Sequence, residues 1–218
     1  MATEKEVKEK LRSKTRVVFL DECAAGVLCF DLFVCGVLIS EKALNDKSLA
    51  GLRDSKLLTE KKRAELFPHI VSLADDFEIV RVSPEEVDKI NIFQARMKGF
   101  RKAIHILNER NTIDYAVIDG NKLPPDLPVD ADYLIKADSI LAGVSAASVL
   151  AKHSHTEAIL NLSKDLPYSR YGLENHKGYG TKEHMNALKK YGPIPGFHRY
   201  SYKPVQAAAQ VFDQPPSS

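Results

Sequence analysis

The chain has 218 residues, 44% of them hydrophobic and 28% charged, with a net charge of +2 at pH 7; that length suffices for one domain with a real core. The N-terminal MATEKEVKEKLRSK is charged where a secretory signal is apolar, and no run approaches the roughly 20 apolar residues of a membrane span, so a soluble, cytoplasmic protein without a membrane partner is expected. The cysteines Cys23, Cys29 and Cys35 are odd in number, and their spacing fits neither CxxC zinc pairs nor a disulfide framework; they read as small buried residues on or beside a strand.

In chain order, Val17 to Leu20 and Leu32 to Ile39 are β-branched apolar runs that predict strands, and Thr59 to Leu73 carries Leu66, Ile70 and Leu73 at helical spacing. Phe77 to Val82 predicts another strand, and Pro84 after a Ser83 cap starts a helix over PEEVDKI. From Ile92 to Leu107, the residues Phe93, Met97, Phe100, Ile104 and Leu107 form a helical core stripe. Strands at Tyr115 to Ile118 and Tyr133 to Ile135 flank a Pro-rich loop, and a helix from about Val144 to Leu162 opens with Ser145, Ala146, Ala147 and Ser148, small enough to lie close to a sheet. This order argues for a mixed α/β sheet flanked by helices, with a C-terminal helical and loop extension.

Asp21 and Glu22 follow VVFL, Asp119 follows YAVI and Asp138 follows YLIKA, so four acids are expected at the ends of three separated strands. A buried anion is costly unless it is paired or holds a metal, and converging carboxylates are hard oxygen ligands suited to magnesium or manganese. Two such ions roughly 3.5–4 Å apart support an in-line phosphoryl displacement. Adjacent strand residues face opposite ways, so Asp21 and Glu22 are expected to share one site only if the strand ends or bulges there. Asp54 and Asp88 read as turn and cap residues. His153 and His155, at i and i+2 on a helix, do not face each other and are not read as a zinc site. From Lys177 onward six basic residues stand against two acidic ones, a rim suited to a polyanion backbone.

In colinear order the strings LDE, GLRDSKLLTEKKR, VSPEEVDKINIFQARMKGFRKAI, YAVIDGNKLP, IKADS, SAASVLAK and HKGYGTKEHMNALKKYGPIPGFHR resemble type 2 ribonuclease H, the ribonuclease HII family, over about residues 17 to 205. The resemblance implies a ribonuclease H-like fold. It also implies magnesium- or manganese-dependent cleavage of RNA in RNA/DNA hybrids and of ribonucleotides embedded in duplex DNA, leaving 5′-phosphate and 3′-hydroxyl ends. The expected division of the chain is a charged N-terminal segment (1–14), a ribonuclease H-like catalytic domain (15–163), a C-terminal substrate-binding extension (164–205) and a disordered tail (206–218). The resemblance makes Asp21, Glu22, Asp119 and Asp138 the catalytic metal ligands. Tyr179 would be the residue laid on the sugar at the deoxyribose side of the cut, Lys177 its neighbour on the substrate, and Ser55 and Lys56 phosphate contacts.

One segment departs from the family. Where its members read DEAGRGPLAG, this chain reads DECAAGVLCF, so Ala24 and Ala25 replace a glycine and an arginine and only Gly26 of that triplet remains. In the family this loop holds the scissile ribonucleotide through its 2′-hydroxyl, the group that separates RNA from DNA, so weakened junction recognition is expected. The alternative is a hybrid-binding relative with little or no nuclease activity. In the tail, Gln206 to Phe212 lacks the large aliphatic and second aromatic of a sliding-clamp peptide, having Ala209 and Asp213 there, so clamp docking is not expected.

Overall fold

The computed structural model describes residues 2–212, without the side chains of residues 53–57. The apolar runs fold as β1 (Val17–Cys23), β2 (Leu32–Leu38), β3 (Asp76–Val82), β4 (Tyr115–Asp119) and β5 (Ala131–Leu134), in a sheet ordered β3-β2-β1-β4-β5. β1 is antiparallel to β2 and parallel to β4, which is parallel to β5. The helices are α1 (Glu4–Leu11), α2 (Glu41–Leu44), α3 (Glu60–Leu73), α4 (Pro84–Arg110), α5 (Ala142–Leu162), α6 (Leu173–His176), α7 (Lys182–Tyr191) and α8 (Lys203–Phe212). α4 is broken at Asn91, whose φ of 66° is left-handed and whose Oδ1 accepts from Gln94 N to restart the helix. The break falls between the PEEVDKI and Ile92–Leu107 segments.

The chain forms two compact units: one comprises residues up to Cys23, Phe33–Val80 and Arg96–His153, the other Ala24–Leu32, Arg81–Ala95 and the chain from Ser154 on. The first unit is a sheet covered on both faces. Leu20 and Val34 lie on the face of α4, where the missing Cβ of Gly99 would stand 2.5 Å from Val34 Cγ2. Phe19 lies on the face of α5, where a Cβ on Gly143 would fall 2.3 Å from the Phe19 ring. Gly143, in the first turn of α5, is thus what lets the helix approach the sheet at Phe19. α1 is set by a capping box of Thr3 and Glu6, and its Val7 is 0% exposed in the core.

In the second unit, isolated bridges pair Val27 with Tyr179 and Cys29 with His198. Asp88 accepts from Tyr200 N (2.7 Å) and Ser201 N (2.8 Å), a capping role filled for a turn far along the chain. The expected disordered tail is corrected in its first part. Residues 206–212 belong to α8, because Val205 and Ala208 bury one face of an alanine-rich stretch and Phe212 lies against Gly192. Residues 213–218, including Asp213, lie outside the described residues. Among the described residues no helix is long and apolar enough to cross a membrane.

Candidate active site

Asp21 and Asp119 stand at the carboxyl edge of the parallel pairing between β1 and β4, each one residue beyond its last pair, Leu20 with Ile118. In sheets of this kind that edge is where ligands bind. Contrary to expectation, β1 neither ends nor bulges at the acids. Its ladder with β2 continues regularly through Asp21 with Cys35, Glu22 with Val34 and Cys23 with Phe33. Only the β4 side opens, so the two acids keep the alternation of a strand. Asp21 turns to the α5 face, and Glu22 to the α4 face. Asp138 is also placed differently from expectation: β5 ends at Leu134, and Asp138 lies beyond it in a 3-10 turn, Ala137–Ser139, which the left-handed Lys136 (φ 60°) introduces.

These positions form one electrostatic cluster. Asp21 is 4% exposed, and burial first, then the charges of Glu22 and Asp119, raise its carboxyl well above the ordinary range. Ser148 and Lys152 on α5 work against that rise, although the Ser148 hydroxyl is buried without a partner in full hydrogen-bond geometry. Glu22 is raised by burial and by Asp119, against the pull of Arg96, whose Nε lies 2.8 Å from Glu22 Oε1. Glu22 Oε2 is buried with no hydrogen-bond partner. Asp119 is raised chiefly by burial and also by Asp138, while Ala137 N donates to its Oδ1 at 2.9 Å and lowers it. Crowded acids held charged-side inward, one oxygen of them orphaned, are a donor set that a hard divalent cation completes. Arg96 and Lys152 are not singled out by the sequence, and Ser148 reads there only as a small packing residue. The available signal was polarity on an apolar stripe, since Arg96 falls between Phe93 and Phe100 at helical spacing.

The other expected substrate residues divide by what the structure describes. Ser55, Lys56 and Asp54 lie outside the described side chains. Ala24, Ala25, Gly26, Lys177 and Tyr179 all belong to the second unit. Tyr179 is 49% exposed on a turn in which Tyr179 N donates to His176 O (2.9 Å) and Thr181 N to Tyr179 O (2.8 Å). Gly178, at φ +88°, would place a Cβ 3.2 Å from Cys29 Sγ, so glycine is needed there both for conformation and for space. Lys177 Nζ donates to Glu174 O. In the altered loop Ala24 has φ 71° and Phe30 φ 72°, both in the left-handed region that costs an L-residue roughly 1–2 kcal/mol, and both where the resembling family carries glycine. Ala25 does not share that conformation.

A second cluster, Cys29, His184 and His198, brings its donor atoms within 4.8 Å of one another, all buried. Its hydrogen bonds fix it as a chain of neutral imidazoles. Ile194 N donates to His198 Nδ1 at 2.9 Å, so His198 carries its proton on Nε2 and gives it to His184 Nε2, 3.3 Å away. His184 Nδ1 then donates to Tyr179 O at 3.0 Å. Burial pushes His184 down to about 4 and His198 to about 3, which keeps both uncharged, and the same burial raises the Cys29 thiol. The protonated Nε2 of His198 leaves no lone pair for a metal. The cluster instead anchors the carbonyl of Tyr179. The paired histidines of α5 have separate surroundings: His153 packs on Phe67 at 4.4 Å and His155 on Phe30 at 5.7 Å.

The ribonuclease HII family model matches residues 20–205. The ribonuclease HII of Francisella tularensis subsp. tularensis is 40% identical over 190 residues, covering 87% of this chain and 96% of that protein. Among solved structures, the ribonuclease H2 of Pyrococcus horikoshii aligns with a TM-score of 0.71 at 25% identity, over 92% of this chain and all of that one. A chain of the PCNA:RNase HII complex from Archaeoglobus fulgidus aligns with a TM-score of 0.70 at 26% identity, over 86% of this chain and 95% of that one. Strand order, helical layers, sequence and family model agree, and the chain belongs to the ribonuclease HII family of nucleases.

Proposed function

We propose that this protein hydrolyses the RNA strand of RNA/DNA hybrids, and ribonucleotides embedded in duplex DNA, with Asp21, Glu22, Asp119 and Asp138 holding two magnesium or manganese ions. The observation that carries the reading is the raised, mutually repelling set of Asp21, Glu22 and Asp119, with Glu22 Oε2 buried and unpaired. Bound there, divalent ions would supply an activated water and stabilise the leaving oxygen of an in-line displacement, giving 5′-phosphate and 3′-hydroxyl ends. The chain's own part is positioning. The regular β1 ladder fixes Asp21 and Glu22, Arg96 holds Glu22 Oε1, and the Ala137 amide holds Asp119.

Substrate selection falls to the second unit in this proposal. The half-exposed Tyr179 ring lies on the deoxyribose next to the cut, with Lys177 beside it. The backbone of Ala24, Ala25 and Gly26 holds the ribose 2′-hydroxyl, with junction recognition weakened by the lost arginine. Ser55 and Lys56 contact phosphate. The exposed Lys182, Lys189 and Lys190 of α7 supply sequence-independent affinity for the nucleic-acid backbone. Retention of all four acids disfavours a binding protein without nuclease activity, because uncompensated clustered anions are a cost that metal binding offsets.

The experiment is a cleavage assay on a uniform RNA/DNA hybrid and on a duplex with one embedded ribonucleotide, with magnesium, with manganese and with excess EDTA. Cleavage of both substrates only with metal is expected. Full activity in EDTA would remove the metal assignment.

A further inference from the structure

We propose that Arg199 is a positioning residue for ribonucleotide selection: its buried guanidinium ties down the carbonyls of Ala24, Ala25 and Phe30 and so imposes on alanine and phenylalanine the left-handed backbone that glycines adopt freely. The inference rests on the reading above that the 24–26 loop holds the ribonucleotide.

Arg199 is 0% exposed and is bound by carbonyls. Its Nη1 donates to Ala24 O at 2.8 Å and Ala25 O at 3.1 Å, and its Nη2 and Nε to Phe30 O at 2.9 and 3.2 Å. Tyr202 completes the grip, its hydroxyl donating to Ala25 O at 2.6 Å while Arg199 Nη1 donates to that hydroxyl at 3.2 Å. The backbone of Arg199 joins in, its N–H donating to Leu28 O at 2.9 Å, and Phe30 N donates to Phe197 O at 2.7 Å. A buried cation is tolerated only when its donors are satisfied, and here the acceptors are carbonyls at both ends of the loop. Those ends coincide with its two left-handed residues, Ala24 and Phe30. A planar fork spans both at once. The single ammonium of lysine does not.

The consequence is a coupling between position 199 and position 24. With Arg199 present, Ala24 is held in a conformation it disfavours, so Ala24→Gly relieves strain and raises Tm. With Arg199→Lys the loop relaxes, and the same Ala24→Gly change gives little or no gain. In cleavage, Arg199→Lys is expected to lower the ratio of kcat/KM for a single embedded ribonucleotide over that for a uniform hybrid by about tenfold, the loss of roughly one charge-assisted contact. Adding Ala24→Gly to Arg199→Lys restores several-fold of it, because glycine reaches the left-handed region unaided.

The test is a double-mutant cycle of Arg199→Lys and Ala24→Gly in the full chain, read by thermal denaturation and by the substrate ratio. Should Arg199→Lys fold poorly, Tyr202→Phe replaces it, since it keeps the ring and removes the hydroxyl's bonds to Ala25 O and Arg199 Nη1 while leaving those of Arg199 to Ala24 O and Phe30 O. Non-additive Tm changes with a falling and then rescued ratio support the proposal. Additive Tm changes overturn it. A non-additive Tm cycle with an unchanged substrate ratio would leave the clamp in place and overturn the assignment of the 24–26 loop to the ribonucleotide.

Discussion

At the scale of single residues, the proposed metal ligands are expected to cost the metal-free fold stability. Asp21, Glu22 and Asp119 all have folded-state values raised above their ordinary ones. Such groups favour the folded state while protonated. That contribution is complete below the ordinary range near 4 and is lost as pH rises through the raised values. In EDTA the protein should therefore lose thermal stability as pH rises above about 4, and Asp21→Asn should flatten that dependence and raise Tm at neutral pH. Melting curves across pH check this, and a loss of Tm in Asp21→Asn at neutral pH would mark Asp21 as a structural residue. With metal present, each of Asp21→Asn, Glu22→Gln, Asp119→Asn and Asp138→Asn should lower turnover by roughly 100-fold or more with the fold intact. Turnover within a few-fold of the parent in any one of them would remove that acid from the ligand set.

At the scale of elements, the sequence marked the strands and the two long helices because their hydrophobic periods are long and regular, and Thr59 and Pro84 announced helix starts that the structure keeps. It was less informative where a single residue decides. Asn91 and Lys136 take left-handed conformations that no periodicity reports, and the second of them moves Asp138 off its strand. The alternation of β1 predicted opposite faces for Asp21 and Glu22. What periodicity cannot show is that the pairing of β1 with β4 stops at Leu20, three residues before its ladder with β2 does, and opens the edge between helices bearing Ser148 and Arg96. The altered loop carries the element-scale predictions. Ala24→Gly with Ala25→Arg should raise cleavage at a single embedded ribonucleotide by about one to two decades, with less effect on a uniform hybrid. A parent that already cuts that substrate as well as a relative with the intact loop, assayed side by side, would contradict this. Tyr179→Ala should weaken cutting at a ribonucleotide–deoxyribonucleotide junction more than binding to a plain duplex, because phosphate contacts supply the general affinity. Equal losses in both would argue against a ring contact at the cut.

At the scale of the molecule, the proposed function assigns chemistry to residues of one unit and selection to residues of the other; the acids are legible from the residues themselves, whereas Tyr179 and the 24–26 loop come only from the family resemblance. The acids follow apolar runs that read as strands of a mixed α/β sheet. The second unit is assembled from residues 24–32, 81–95 and those from Ser154 on, through contacts such as Arg199 with Ala24 and Asp88 with Ser201. These are polar contacts between distant segments, and they leave no local pattern. Family membership places the chain among ribonucleases, and in the proposed function its four carboxylates cut RNA through divalent metal. The most direct measurement is to digest an end-labelled RNA/DNA hybrid with the purified protein and with Asp21→Asn, in magnesium and in EDTA, and to determine the chemistry of the new ends. The parent in magnesium alone should yield 5′-phosphate and 3′-hydroxyl products; cleavage in EDTA, undiminished cleavage by Asp21→Asn, or 2′,3′-cyclic phosphate ends would contradict metal-dependent cutting by these carboxylates.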